Sequence, residues 1–336
     1  MTNTSEPVPT IRWGILATGK IAATFATDLA LVEGAELAAV GSRSIENARE
    51  FAGRFSSEQG GAARAHGSYA ELAADPNVDV IYVATPHGRH VEDVMTCFEA
   101  GKAVLCEKAL TLNSEDAATL IEEARHRRLF FAEAMWMRCN PNIRRIQDMA
   151  AAGACGTIGQ IRAELGFVGE PDSARLWDPA LGASSLLDVG IYPLTFVNLI
   201  LGEPTHIAAA GIRSDRGIDT GGGATLTYTS GAVASIAWTQ MAWSDNRAAV
   251  SGDGGRIEIP SRFHEATGFS YARNSELEKF TEPVLGRGYA HEIIEVNDCL
   301  RAGLTESTLL PLDGTLAIMK QIDEIRRQIG CTPSTQ

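Results

Sequence analysis

Asp188 and Tyr192 stand four residues apart in the apolar segment SSLLDVGIYPLTFVNLILG, and Lys108 closes the apolar run KAVLCEK. On a helix, positions i and i+4 share a face, so this carboxylate and this phenol would meet one ligand together. A free tyrosine titrates near pH ~10 and is a poor base at neutral pH, whereas a lysine cation beside it favours the phenolate and brings it toward a useful range. The three residues together suit proton exchange with an alcohol whose hydroxyl the carboxylate orients. Each also has a structural explanation: Tyr192 as an interfacial aromatic with a satisfied hydroxyl, Asp188 as a local hydrogen-bond partner within its helix. Oxidising an alcohol requires a hydride acceptor in the same place, so the chemistry predicts a dinucleotide site elsewhere in the chain.

The run IRWGILA leads through Ala17, Thr18, Gly19, Lys20 and Ile21 into an amphipathic stretch, the strand-to-helix context of a dinucleotide fingerprint. Against GxGxxG, Ala17 stands at the first glycine, Gly19 at the second and Ala22 at the third. Gly19 matters most, because a side chain there would keep a pyrophosphate from the helix N-terminus; the rival reading is a tight turn only. The next apolar run, AELAAVGSRS, ends in Ser42 and Arg43 with no acid. A serine and an arginine can hold a 2′-phosphate by charge-assisted hydrogen bonds where a carboxylate would repel it, so NADP(H) is expected ahead of NAD. The alternative for Arg43 is a solvated loop charge.

Further candidates follow the later runs. Ala84, Thr85, Pro86, His87 and His90 end VDVIYVATPHGRH and are expected along the cofactor groove, with a helix face as the rival for the histidines. The i, i+3 spacing of His87 and His90 has no third ligand and no HExxH pattern near it, so no metal is expected. Glu107 is expected to hold the nicotinamide ribose or to serve as a structural partner of Lys108. Trp136, Arg138 and Trp177 are read as the aromatic and cationic wall of a substrate cavity, against the alternative of core packing.

These residues need elements to position them. IRWGILAT, AELAAVGS, VDVIYVAT, KAVLCEK and LFFAEAM read as strands, nearly continuous in hydrophobicity and separated by amphipathic helical stretches. That pattern predicts an α/β domain with a doubly wound parallel sheet over residues 1–132. Beyond it, TIGQIRAELGF, THIAAAGIRS, ATLTYTS, AVASIAWTQ, RAAVSG and RIEIP are strand-like runs joined by Gly/Ser turns, which predicts an α+β domain over 133–336 with a large, open, mostly antiparallel sheet. HEIIEVNDCLRAG and TLAIMKQIDEIRRQIG close the chain as helices, the last expected to return to the first domain. One face of an open sheet needs a partner, so a homodimer or a dimer of dimers is expected.

Composition narrows the partners. With 336 residues, 45% of them hydrophobic, the chain has material for two cores, and its net charge of -13 without a basic run opposes contact with nucleic acid or an anionic membrane. A small molecule is the expected partner. The polar opening MTNTSEPVPT lacks an apolar leader core, no run approaches the ~18 apolar residues of a membrane span, and six scattered cysteines without CxxC spacing suit a reducing cytoplasm.

The fingerprint turn, ATPHGRH, CEKAL, EAMWMRCNP, LLDVGIYPL and YAHEIIEVNDCLRAG, in this order and spacing, resemble the glucose-fructose oxidoreductase / inositol dehydrogenase / rhizopine catabolism (Gfo/Idh/MocA) family over nearly the whole chain. EAMWMR together with DVGIY looks most like its branch of dimeric dihydrodiol dehydrogenases and NADP-dependent D-xylose dehydrogenases. The resemblance implies a Rossmann domain, Lys108 and Tyr192 as the catalytic pair with Asp188 beside them, and oxidoreduction of a secondary alcohol of a sugar, inositol or cyclic vicinal diol. Ala109 replaces the proline usual in EKP, which is expected to loosen the backbone after the lysine. Two other functions compete on this fold: a non-catalytic dinucleotide or sugar sensor, which would not need the pair, and an NAD-holding glycosidase, which Ser42, Arg43 and Tyr192 argue against.

Overall fold

Residues 8–55 and 62–331 are described in a computed structural model of the chain; most of the polar opening, residues 1–7, lies outside them. The apolar runs of the first domain become β1 (Ile11–Leu16), β2 (Ala35–Gly41), β3 (Arg64–His66), β4 (Val80–Val83), β5 (Ala103–Glu107) and β6 (Phe131–Ala134). They form one parallel sheet in the order β3-β2-β1-β4-β5-β6. Every residue of β4, β5 and β6 is buried, as a sheet covered on both faces demands. The cover is α1 (Lys20–Leu29), α2 (Ile45–Phe55), α3 (Tyr69–Ala73), α4 (His90–Glu99) and α5 (Ser114–Arg127). Asn113 caps α5 by accepting from the Asp116 N–H at 2.8 Å. β3 and α3 were not expected, because three and five residues are too short to show a period. The order reverses between β1 and β4, so the crevice for a ligand opens at the C-terminal ends of these strands.

The second domain begins with α6 (Pro141–Ala151), β7 (Ile158–Gly166), α7 (Ala174–Trp177) and α8 (Ile191–Leu201). β8 (His206–Arg213), β9 (Asp219–Thr227), β10 (Val233–Thr239), β11 (Ala248–Gly252), β12 (Arg256–Ile259), β13 (Phe269–Arg273) and β14 (Glu276–Phe280) follow, then α9 (Tyr289–Arg301) and α10 (Leu312–Ile329). The sheet runs β14-β13-β12-β11-β7-β10-β9-β8 and is antiparallel except where β7 and β10 pair in parallel. That exception corrects the expected succession of hairpins, and its cause is the long helical crossover after β7. β13 and β14 also escape the hydrophobic pattern, since β14 is almost wholly exposed and Asn274 turns the hairpin with a left-handed backbone (φ 55°).

Along β10 buried Ala234, Ile236 and Trp238 alternate with exposed Ser235 and Ala237, so helices cover one face of this sheet and leave the other open. The stretch Pro179–Leu201 is long and apolar enough to cross a membrane, in contrast to the sequence expectation, yet it is mostly buried within the protein, where it forms the helical layer carrying Asp188 and Tyr192. Both closing helices bind the domains together. Asp28 of α1 accepts from the N–H groups of Arg287 (2.9 Å) and Ala290 (3.2 Å) at the start of α9. Trp13 Nε1 donates to Asn297 at 3.0 Å, and α10 packs on α5 as well as on β8.

Candidate active site

Lys108 leaves the C-terminal end of β5, and the backbone around it is fixed on all sides. The Lys108 N–H donates to Glu107 Oε2 (3.1 Å), and the Leu110 N–H to Glu133 Oε1 (3.0 Å). His87 Nε2 lies 3.1 Å from the Lys108 carbonyl, and His90 Nδ1 lies 3.1 Å from both the Ala109 and Leu110 carbonyls. This answers the expected looseness at Ala109: side chains from β6 and from the segment after β4 hold the loop in place of a proline ring. Burial first, and then His90 and Lys108, push the His87 imidazole down to about 3, so this ring is neutral. His90 is fully buried, with Nε2 2.9 Å from the Thr85 carbonyl. One nitrogen meets the loop after Lys108 and the other the segment after β4, so the structure makes it an internal tie and not the groove-lining residue expected. Glu107 is buried as well; the Tyr82 hydroxyl donates to its Oε1.

The opposite wall is held by one buried carboxylate. Asp219, at the start of β9, accepts from Ser184 Oγ (2.5 Å), Ser185 Oγ (2.6 Å) and the Leu186 N–H (2.7 Å), and so anchors the π-helical turn Leu186–Gly190 that leads into α8. Gly190 lets this turn press on the sheet: a Cβ there would stand 2.9 Å from the indole of Trp238. Asp188 on the turn then meets Lys108 from the other domain. Lys108 Nζ donates to the Asp188 carbonyl (2.6 Å) and to Oδ1 (3.1 Å), and Arg175 of α7 donates to the same Oδ1 at 2.8 Å. Burial by itself would raise the Asp188 carboxyl, but the two cations overcome it and hold the group well below the usual carboxylate range.

Tyr192, on the first turn of α8, lies under this ion pair, with Lys108 Nζ 5.1 Å from the centre of its ring. Its hydroxyl accepts from Trp136 Nε1 at 2.8 Å. Trp136 in turn stacks on Tyr289, centroids 4.9 Å apart, and the His264 ring stands 5.2 Å from Tyr192. Burial, and next the Glu107 carboxylate, push the phenol well above its ordinary value, while the Trp136 N–H works against them. The expected direct activation of the phenol by Lys108 is thus not the resting arrangement: the ammonium is bonded to Asp188, and the phenol is protonated.

The turn after β1 has the form a dinucleotide needs. Ala17 adopts φ 87°, the left-handed conformation that a first glycine would take without strain. Gly19 precedes α1 with nothing within 4 Å of the place its Cβ would occupy, and α1 has neither a side-chain cap nor an acid in its first turn. Thr18, Gly19, Lys20, Thr24, Arg54 and Arg287 line a groove there. Ser42 is buried and Arg43 exposed at the end of β2, and the buried Thr85 hydroxyl oxygen has no partner among the described residues. A free helix N-terminus, basic side chains and an unpaired hydroxyl fit a phosphorylated dinucleotide.

The model of the Gfo/Idh/MocA oxidoreductase family with its NAD-binding Rossmann fold matches residues 11–134, and that of the Gfo/Idh/MocA C-terminal domain matches residues 143–258. The chain belongs to the Gfo/Idh/MocA oxidoreductase family. Within it, the chain is 35% identical to trans-1,2-dihydrobenzene-1,2-diol dehydrogenase of Mus musculus over 96% of this chain and 98% of that one. The Homo sapiens protein of the same name is 33% identical over the same shares. A 3-ketoreductase from Actinomadura kijaniata, solved with NADP and TDP-benzene, superposes with a TM-score of 0.85 at 26% identity, covering 95% of this chain and 98% of that one.

On this Gfo/Idh/MocA frame the remaining candidates separate. Trp136 belongs to the Tyr192 cluster. Trp177 is half-exposed on α7, its Nε1 donating to the Glu170 carbonyl at 2.8 Å. Arg138 faces Gly314 of α10 and has Glu133 as its electrostatic partner; among the described residues no hydrogen bond ties it to Lys108, Asp188 or Tyr192. Ile21 packs against the core and Lys20 points to solvent. Arg175, His264, Tyr289 and Asp219 were not foreseen. Arg175 lies two residues before Trp177 and was within reach of sequence inspection, but the other three join Tyr192, its turn and Trp136 only through contacts across 33 to 153 positions of sequence.

Proposed function

We propose that this chain is an NADP(H)-dependent oxidoreductase that moves a hydride between the nicotinamide and a secondary alcohol or carbonyl of a sugar, inositol or cyclic vicinal diol. The observation that carries the reading is the meeting of Lys108 from one domain with Asp188 and Tyr192 from the other, at the C-terminal edge of the same parallel sheet whose β1 leads to the open N-terminus of α1. The dehydrogenase and ketoreductase names of its relatives support the reaction class, and the NADP held by the ketoreductase structure supports the cofactor.

Ala17 to Ile21 would hold the pyrophosphate, Ser42 and Arg43 the 2′-phosphate, and Thr85, Pro86 and Glu107 the nicotinamide half. When bound, NADP(H) supplies or accepts the hydride. Tyr192 holds the proton that the substrate oxygen gains or loses. After the phenol has donated, the Trp136 N–H and the Lys108 ammonium stabilise the phenolate oxygen, and Asp188, itself oriented by Arg175, holds that ammonium in place. Because burial favours the neutral phenol, the resting site is set to donate a proton to a carbonyl oxygen.

NADP should bind at least tenfold more tightly than NAD, about 1.4 kcal/mol, which one charge-assisted contact can supply. Arg43→Ala should remove most of that difference in a calorimetric titration. Equal affinities in the unaltered protein, or a preference for NAD, would contradict the assignment of Ser42 and Arg43. The six cysteines are all free and buried, as suits work in the cytoplasm.

The open face of the second sheet supports assembly as a homodimer or a dimer of dimers. Small side chains such as Ala208, Ala210 and Ala237 leave it flat, and Ile212 (68% exposed) and Trp243 (80% exposed) offer apolar surface near it. Light scattering at micromolar concentration should report at least two chains, and Ala237→Arg should shift the mass to that of one. A monomer before any substitution would count against this face as an interface.

A further inference from the structure

His264 lies on the short turn Phe263–Glu265 between β12 and β13, and its ring centre is 5.2 Å from that of Tyr192 and 6.1 Å from that of Trp136. Around the phenol this wall is otherwise aromatic, built by Trp136 and Tyr289, and the indole N–H is already spent on the Tyr192 hydroxyl. His264 Nδ1 is buried and has no hydrogen-bond partner among the described residues. Buried polar atoms in folded proteins are almost always paired, so an unpaired one beside a reacting group points to a ligand as its partner. Burial, then Arg262 and Lys108, hold the imidazole down to about 3, so the ring is neutral and offers one N–H and one lone pair. Such a ring bonds a hydroxyl in either sense and repels neither a diol nor a hydroxy-carbonyl compound.

We propose that His264 is a specificity-determining residue that hydrogen-bonds the substrate oxygen on the carbon next to the reacting one. The inference rests on the oxidoreductase reading above and deepens it: the site selects vicinal diols, polyols and their α-hydroxy carbonyl partners over isolated alcohols and ketones. In this arrangement Tyr192 takes the reacting oxygen and His264, beside it, takes the oxygen on the next carbon. A site built to bond a second hydroxyl discriminates strongly against the analogue that lacks it, because its own polar atom then stays buried and unpaired.

The test is steady-state kinetics with NADP on two matched pairs, trans-cyclohexane-1,2-diol with cyclohexanol and D-glucose with 2-deoxy-D-glucose. It is run on the unaltered protein, His264→Phe and His264→Gln, with NADP titrations to verify that each variant is folded. The unaltered protein should favour the fuller member of a pair by about a hundredfold in kcat/KM. His264→Phe should cut that ratio by at least about tenfold, chiefly through KM, and His264→Gln should restore part of it. A ratio that stays the same in His264→Phe, or a fuller member not favoured at the outset, overturns the role of His264 while leaving the oxidoreductase reading intact. Should none of the four compounds be turned over, and neither fuller member bind the NADP-loaded protein by calorimetry, the inference falls, and the oxidoreductase reading falls with it when the wider series of aldoses, inositols and vicinal diols also gives no turnover.

Discussion

Tyr192→Phe should lower turnover on the order of a hundredfold or more while NADP binding and the melting temperature change little, the usual scale for losing a positioned acid or base. The substitution removes one hydroxyl from a ring that keeps its contacts with Lys108 and His264. Lys108→Met should cost at least as much. It deletes the cation that stabilises the phenolate and leaves the Asp188 carboxylate buried with Arg175 alone. Because the residues act as one unit, the double variant should lose little more than the worse single one. The pH profile carries the same information. Burial and Glu107 raise the phenol, so it stays protonated, and competent to donate, up to pH values above the ordinary ~10 of tyrosine. Carbonyl reduction should therefore hold its rate through the mildly alkaline range and fall only above it. A fall centred near neutrality, or a Tyr192→Phe variant with near-normal turnover, would refute the proton role.

The second large effect is expected far from any substrate. Asp219→Ala removes the acceptor of three short hydrogen bonds and leaves the Ser184 and Ser185 hydroxyl protons and the Leu186 N–H without that acceptor in the interior. Stripping three buried donors of their acceptor costs about 3–5 kcal/mol together, enough to lower the melting temperature of a domain of this size by several degrees. Asp219→Asn, which keeps the shape and one acceptor, should cost clearly less. Turnover should fall with stability in Asp219→Ala, because the turn that carries Asp188 and leads to Tyr192 loses its anchor. An unchanged melting curve would show that the turn is held by its packing on Trp238 instead.

What the sequence made legible follows from the range of the interactions involved. The parallel sheet and its crevice were readable because β1, β2, β4, β5 and β6 are local apolar runs, and local periodicity survives in a single chain. Lys108, Asp188 and Tyr192 were readable as residue types in motifs, and the fold brings the three together across 80 positions. Their division of labour was not readable. That Lys108 bonds Asp188 and leaves Tyr192 to Trp136 depends on where one side chain sits relative to three others. The second sheet was harder, since β13 and β14 form on a largely exposed edge where no hydrophobic alternation marks them. His87 and His90 illustrate the same limit: their place after a strand end suggested the cofactor groove, yet one nitrogen of each ring meets the carbonyls of a loop some twenty positions away.

The central claim, an NADP(H)-linked reaction at carbinol carbon carried out by Lys108 and Tyr192, is tested most directly by following the absorbance of the reduced cofactor while the protein meets NADP and a series of aldoses, inositols and vicinal diols. The account predicts NADPH formation with at least one of them, abolished by Tyr192→Phe under conditions where that variant still binds NADP. Tight NADP binding with no turnover across the whole series would contradict it and make a dinucleotide or sugar sensor the better reading of this fold.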